Sequence, residues 1–381
     1  MMALVLDQAT PTGSAFLARQ GTLPDRSPAT APSQSLPARA VAEAGPWSRA
    51  GTGLQPAAER HGAGGRLAVS LLIPTFNGVH LLPTCLDAVA GQIRPPDETI
   101  VIDDGSTDGT LALLRARYPW VRPLPLERNG GFAAAVNRGI EAAGGDVIVL
   151  LNNDTEPEPG WLQALVAPLE RDESIDFTAS KLLLFDRRDH LHSAGDGYTV
   201  GGVPVNRGAW RPDDGRYDRP ELIFGACAGA AAYRRTMLCA LGGLDEWLVS
   251  YLEDVDLSWR AQLQGYRCLF VPEARVYHRV SASGGGVRPS YYCGRNFVLV
   301  LASDVPGPLL RKYWRAIVRE QAAVLLEAAR HLRQPAARAR LRGFLAGVVA
   351  LPAALRRRAR IQRTRRVPIE YLEGLLTREA P

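Results

Sequence analysis

Cysteine is scarce in this 381-residue chain and badly placed for structural chemistry. The five residues (Cys85, Cys227, Cys239, Cys268 and Cys293) are odd in number and form no Cys-x-x-Cys pair. That argues against a disulfide framework and a thiolate zinc site, and fits a reducing, cytoplasmic setting. No stretch of 18 consecutive apolar residues occurs, so no membrane-spanning helix is expected. The N-terminus lacks a basic start followed by an apolar core, so no signal peptide is expected. No Gly-x-Gly-x-x-Gly follows the first apolar run, which argues against a dinucleotide-binding dehydrogenase.

Acidic residues are sparse at one end. From Val305 onward, 17 Arg and Lys face 5 Glu, a net of +12. The whole chain carries +6, so residues 1–304 carry −6. A basic block of this kind suits an anionic partner. A membrane surface fits better than nucleic acid, because no nucleic-acid module or aromatic interleaving accompanies the charge.

Residues 1–65 are rich in Ala, Pro, Gly, Ser and Thr and read as a disordered leader. Apolar patterning then predicts strands over 67–73, 98–102, 121–126 and 147–151. Helices fall between them, the last running from 132 to about 143. That alternation is the signature of an α/β fold with a mostly parallel sheet flanked by helices. Farther on, the pattern predicts a helix over 161–171, a strand near 175–185 and a long Gly/Pro/Asp-rich loop over 186–222. A small-residue strand over 224–233 follows, then a helix over 253–265 and strands at 267–271 and 276–278. From Tyr291 the pattern is helical, broken near Pro306, Pro308, Pro335 and Pro352.

The chain is organised around Val147–Thr155. Five branched aliphatic residues stop abruptly at Asn152-Asn153-Asp154. In an open parallel sheet, ligands bind at the carboxyl ends of the strands. Asn77 and Asp103-Asp104 end two other predicted strands, so all three groups fall on one edge. Asp154 is a hard oxygen donor suited to a divalent cation. A second acidic cluster, Glu253, Asp254 and Asp256, opens a helix. The helix dipole explains part of this. The chemical alternative is a carboxylate base, with Asp254 the choice and its pKa raised by crowding from Glu253 and Asp256. His278 follows a short apolar strand and could complete a metal site. His190 and His192 are expected on the solvated surface.

Six segments in order (SLLIPTFNG, VIDDGSTDGT, NGGFAAAVNRGI, VIVLLNNDT, YLEDVDLSWR and VYHRVSAS) resemble the family 2 inverting glycosyltransferases of the GT-A fold, in their rhamnosyltransferase-like branch. The resemblance implies that Pro74, Thr75, Phe76 and Asn77 line a nucleotide pocket, with Phe76 against the base. Asp103 and Asp104 would contact base and ribose. Asn129, Gly131, Phe132 and Asn137 would hold the nucleotide sugar, with Asn152 and Asn153 beside it. Asp154 and His278 would hold Mg²⁺ or Mn²⁺, although Asn152 replaces the first acid of the family's Asp-x-Asp motif. Asp254 would be the catalytic base, with Gly225, Glu253 and Asp256 on the acceptor side. The implied activity is metal-dependent, inverting sugar transfer from a nucleotide-diphosphate sugar to a glycan or lipid-linked acceptor, in cell-surface polysaccharide synthesis. The rival is a catalytically silent nucleotide-sugar-binding module of a glycan-assembly complex. A nucleotidyltransferase would want a Gly-rich, Lys-bearing first loop, which is absent.

These readings divide the chain into a leader (1–65), a GT-A domain (66–300) and a basic helical extension (301–381). Within the extension, residues 343–355 with Arg356, Arg357 and Arg358 suit an interfacial helix. Peripheral attachment to the inner face of the cell membrane is therefore expected. The alternative is an ordinary helical cap on the domain.

Overall fold

The computed structural model describes residues 66–280 and 286–378, so the leader lies outside the described residues. The first half alternates as the sequence predicts. Strand β1 (Val69–Thr75) leads to helix α1 (Leu82–Ala90), and β2 (Glu98–Asp103) to α2 (Thr110–Arg117). Then come β3 (Arg122–Pro125), α3 (Phe132–Ala142) and β4 (Val147–Leu151). These four strands pair in parallel, with Thr75 level with Asp103 and Leu72 level with Leu150. Their carboxyl ends therefore share one edge, as expected.

Alternating side chains on these strands go to opposite faces. Leu72, Ile100 and Ile148 pack with Val136 and Ile140 of α3. Leu71, Val101 and Val149 pack on the other face with Leu86 of α1 and Leu114 of α2. Two buried layers sandwich the sheet, which explains why β4 is apolar at all five positions.

The second half departs from simple alternation. Short β5 (Thr155–Pro157) is followed by α4 (Trp161–Arg171) and β6 (Phe177–Leu184). The segment expected to be loop holds four short strands: β7 (Leu191–Ser193), β8 (Asp196–Thr199), β9 (Pro204–Asn206) and β10 (Glu221–Ile223). Then β11 (Ala230–Arg234) inserts antiparallel between β4 and β6. Residues 224–229, predicted as part of that strand, are instead a connecting loop. Helix α5 (Arg235–Leu241), which the sequence reading missed, precedes α6 (Glu253–Gln264). Gly265 caps α6 at φ 83°, as its position predicted. Strand β12 (Cys268–His278) is continuous through an irregularity between Val271 and Arg275, where two strands were expected.

Helices α7 (Val287–Ser303), α8 (Gly307–Arg330), α9 (Pro335–Val349) and α10 (Leu351–Arg363) follow, then α11 (Ile369–Gly374) and β13 (Leu376–Thr377). They break at the prolines, as expected. This extension shares a core with the sheet domain. Trp259 of α6 meets Tyr198 and Phe224 edge-on, each at 5.0 Å between centroids, and the cluster continues into Leu299, Leu309, Ala354 and Ile361.

The interfacial-helix expectation for 343–355 is corrected in part. Gly343 and Gly347 face α7, where a Cβ on Gly343 would lie 2.0 Å from the Tyr291 carbonyl oxygen. One side of the segment is therefore interior. Nor do its three arginines point outward together. Arg357 is buried, pairing with Asp256, with Asp245 at 2.5 Å and with Asp304 at 2.9 Å. Arg358 donates to the Ala302 and Val305 carbonyls, which leaves Arg356 exposed.

Candidate active site

The nucleotide side is built from the ends of β1 and β2. Asn77 takes φ 50°, its N–H donates to Ser106 Oγ at 2.7 Å, and its Oδ1 accepts from the Thr107 N–H at 2.8 Å. Gly78 has no room for a Cβ, which would fall 2.2 Å from Thr75 Oγ1. Phe76 stands 44% exposed at the strand end, free to meet a flat ring. Asp103 accepts from the Ser106 N–H at 3.1 Å. Asp104 accepts from the Gly130 and Gly131 N–H groups at 2.8 and 3.0 Å. Burial raises the Asp104 carboxyl, against the pull of those two N–H groups. The two carboxylates thus shape the pocket through backbone as well as standing at its edge.

The Asn129–Phe132 turn is held from across the site. Gly131, at φ 90°, packs directly on Val249. The Phe132 N–H donates to Ser250 Oγ and the Ala133 N–H to the Val249 carbonyl. Arg288, at the start of α7, reaches Asn129 Oδ1 at 3.3 Å. Asn137 needs correction. It is fully buried, and its amide is committed to Leu244 and Glu246 at 2.9 to 3.0 Å, where it fixes the 244–246 loop.

At the end of β4, Asn153 donates to Thr75 Oγ1 at 2.7 Å. Asp154 Oδ1 lies 3.1 Å from His278 Nε2. They are 124 positions apart in the chain. The pairing of β5 with β12 sets Thr155 opposite His278 and so brings the two together. Carboxylate plus imidazole suits Mn²⁺ or Mg²⁺, and two convergent buried donors fit such an ion. His192 was misplaced by the sequence reading. Its Nδ1 lies 3.0 Å from His278 Nδ1, and burial pushes the imidazole down to about 3, so it stays neutral. His190 pairs with Asp189 at 2.8 Å, away from this trio.

Asp254 opens α6. Its Oδ2 accepts from the Ala228 N–H at 3.2 Å and its Oδ1 from the Val255 N–H at 2.8 Å. Burial raises its pKa. Asp196 and Cys227 lie beside it, with donor atoms of all three within 4.8 Å of one another. Burial and the nearby Asp254 charge push Asp196 well up. Glu253 is 6% exposed, and its Oε2 has no hydrogen-bond partner. Burial and Asp254 raise it as well. Gly225 lies against Ser258 of α6, with no space for a Cβ.

Asp256 is not on the acceptor side. It is fully buried, with Arg260 at 2.7 Å and Arg357 alongside. Burial would raise it, but the two guanidinium groups win and hold it at about 2. It therefore does not crowd Asp254 as expected. Burial is what raises that carboxyl, and Asp254 in turn raises Asp196 and Glu253.

The 227–229 loop ties the two halves of the site. The Asn152 N–H donates to the Gly229 carbonyl at 2.9 Å, and the Ala228 N–H donates to Asp254. Backbone strain is concentrated here. Of five non-glycine residues with positive φ among the described residues, Asn77, Val249, Tyr251 and Leu252 border the site. Such conformations cost of order 1–3 kcal/mol each and persist only where the surroundings fix them.

Residues 70–241 match the model of the family described as "Glycosyl transferase family 2". The chain is 29% identical over 308 residues to N-acetylglucosaminyl-diphospho-decaprenol L-rhamnosyltransferase of Mycobacterium tuberculosis, covering 73% of this chain and 89% of that protein. It is 30% identical over 243 residues to the O-antigen biosynthesis protein RfbC of Myxococcus xanthus, covering 59% of this chain and 18% of that protein. Among solved structures, a fragment of S. aureus TarS in complex with UDP-GlcNAc is similar at a TM-score of 0.50 and 17% identity, covering 80% of this chain and 92% of the other. GalNAc-T7 with UDP, GalNAc and Mn²⁺ is similar at 0.50 and 23% identity, covering 62% and 47%. These two likenesses establish the GT-A fold. Residues 70–241 thus form a glycosyl transferase family 2 domain, and the chain is a glycosyltransferase.

Proposed function

We propose that this enzyme moves a sugar, with L-rhamnose favoured, from a nucleotide-diphosphate donor to a hydroxyl of a lipid-linked N-acetylglucosamine acceptor, with inversion. The observation that carries the reading is the 227–229 loop, which joins Asp254 to the β4 end that carries Asp154. A cation-binding pair and a raised carboxylate base thereby share one cleft edge. The donor sugar and lipid-linked acceptor are supported by the name of the mycobacterial relative.

Asp154 and His278 would hold Mg²⁺ or Mn²⁺. Such an ion supplies positive charge against the leaving diphosphate. Phe76 stacks on the base, and the Asn129–Phe132 turn seats the sugar. Asp254 takes the proton from the acceptor hydroxyl as the new glycosidic C–O bond forms and the bond to the diphosphate oxygen breaks. The nucleoside diphosphate leaves from the opposite face. The unpartnered Glu253 Oε2 accepts a substrate hydroxyl beside the base.

The test is nucleoside diphosphate release from a panel of nucleotide sugars with lipid extract as acceptor, with Mn²⁺ or EDTA. Release from one donor, abolished by EDTA and cut at least about 100-fold in Asp254→Asn, is expected. Undiminished turnover in Asp254→Asn would move the base elsewhere. Donor binding without release, whatever the acceptor, would favour a silent binding module.

A further inference from the structure

Exposed large apolar side chains are concentrated in one part of this protein. Eight of the fifteen among the described residues lie between Trp314 and Leu355. On the 24-residue α8, Trp314 is 55% and Val318 58% exposed, with Leu326 similar. These residues stand three to four positions apart with Arg311, Arg315 and Ala322, on a single helical face. Arg315 lies over the Trp314 ring, 5.4 Å from its centroid.

The inner flank of α8 is occupied. Gln321 donates to the Gly202 carbonyl at 3.3 Å, Glu320 packs on Gly201, and Lys312 pairs with Glu373 at 2.5 Å. The only two acids of α8 are Glu320 and Glu327, and Glu327 pairs with Arg330 and His331. The outward stripe is therefore acid-free. The adjoining α9 repeats the pattern with exposed Arg338, Arg342, Leu345 and Val349, and neither α9 nor α10 contains an acid.

We infer that the outward faces of α8 and α9 dock on an anionic phospholipid bilayer. Intermixed arginine, tryptophan and aliphatic side chains are what a headgroup boundary accepts, with the apolar parts inserted and the guanidinium groups on phosphate. No helix among the described residues is long and apolar enough to cross a membrane, so contact would be lateral. The docking face moves from residues 343–355, whose glycine side is packed on α7, to α8 and the outer stripe of α9. Strand β8 connects this face to the site. It starts at Asp196, and the turn after it, at Gly201 and Gly202, rests on α8. At about 3.3 Å per residue, the inner flank of α8 lies within about 20 Å of the carboxylate cluster, and the outward face about 10 Å, one helix diameter, beyond it. The docking would serve the lipid-linked acceptor proposed above, but its physical basis is independent of that reading.

The test is co-sedimentation of the full chain with vesicles of phosphatidylglycerol and phosphatidylcholine, against phosphatidylcholine alone, at low and high salt. Binding to the anionic vesicles alone, weakened by salt, is expected. Each cation near such a surface is worth about fivefold in partitioning, so Arg311→Gln/Arg315→Gln should lose about 30-fold. Trp314→Ser/Val318→Ser should lose binding at low salt too. Both pairs are exposed, so circular dichroism and donor turnover with a soluble acceptor should stay unchanged. Absent vesicle binding, or full binding by both double variants, would overturn the inference. So would a dimer that the Trp314→Ser/Val318→Ser variant dissolves, since the face would then cover a second copy. Vesicle binding without transferase activity would leave the docking standing and defeat only the proposed function.

Discussion

Replacing Arg357 with alanine should unfold this protein at a markedly lower temperature. The guanidinium sits among Asp245, Asp256 and Asp304, and the last two are fully buried. Removing it leaves Asp256 with Arg260 alone and takes from Asp304 the guanidinium paired with it. Breaking a buried pair by removing one partner costs about 3–5 kcal/mol. For ~300 ordered residues, an unfolding entropy of about 2.1 cal/mol/K per residue converts that cost to a Tm drop of about 5–8 °C. The pH dependence has a definite sign. Asp256 is depressed to about 2 in the folded state, so its contribution is full above its ordinary value near 4 and is lost as pH falls toward 2. Without Arg357 the depression shrinks, and acid unfolding should begin at higher pH. Differential scanning fluorimetry from pH 3 to 8 reads both effects. Asp256→Asn combined with Arg357→Met should recover part of the loss, because both members of that buried pair go together, although Arg260 then loses its carboxylate. A Tm within 1 °C of wild type in Arg357→Ala would refute the reasoning.

Three other outcomes follow from the site. His192→Ala should weaken Mn²⁺ binding by about 10–100-fold, by isothermal titration without substrate, because the His278 ring loses the partner that orients it. On the proposed role of Asp254 as the base, activity needs it ionised, and burial raises its pKa. The acidic limb of kcat/KM should therefore lie above 3.8 and persist in Asp196→Asn, and a limb at or below 3.8 would contradict this. Gly131→Ala should cost roughly 2 kcal/mol or more and abolish tight nucleotide binding. Its Cβ would lie 2.6 Å from Val249 Cγ1 at a φ of 90°, and wild-type affinity would rule that out.

Local patterning carried the parallel half of the fold. Its strands and helices are continuous apolar periods, and the three polar strand ends fall together as the sequence implied. The antiparallel half was less legible because β7 to β10 are three or four residues long, too short for a period to show. His192 and Asp196 lie on those short strands, in a Gly-rich stretch with the composition of loop. Only pairing to β6 and to Gly225 reveals that both enter the site. Asp256 and Arg357 mislead for another reason. An acid at a helix start and an arginine in a basic run both suggest surface, yet they bury each other across 101 positions.

The distance along the chain between Asp154 and His278 also bears on the order of folding. Strands β1 to β4 pair within some 80 residues, so that half can form while the chain is still being made. Asp154 and His278, the proposed metal-binding pair, meet only when β12 docks beside β5 and β6, a long-range closure that is entropically late. A nascent chain could therefore hold the joined ends of β1 and β2 long before Val249 and Ser250 arrive to fix the Asn129–Phe132 turn and before Asp154 meets His278. On this topology, competence for transfer comes with the last strand of the sheet.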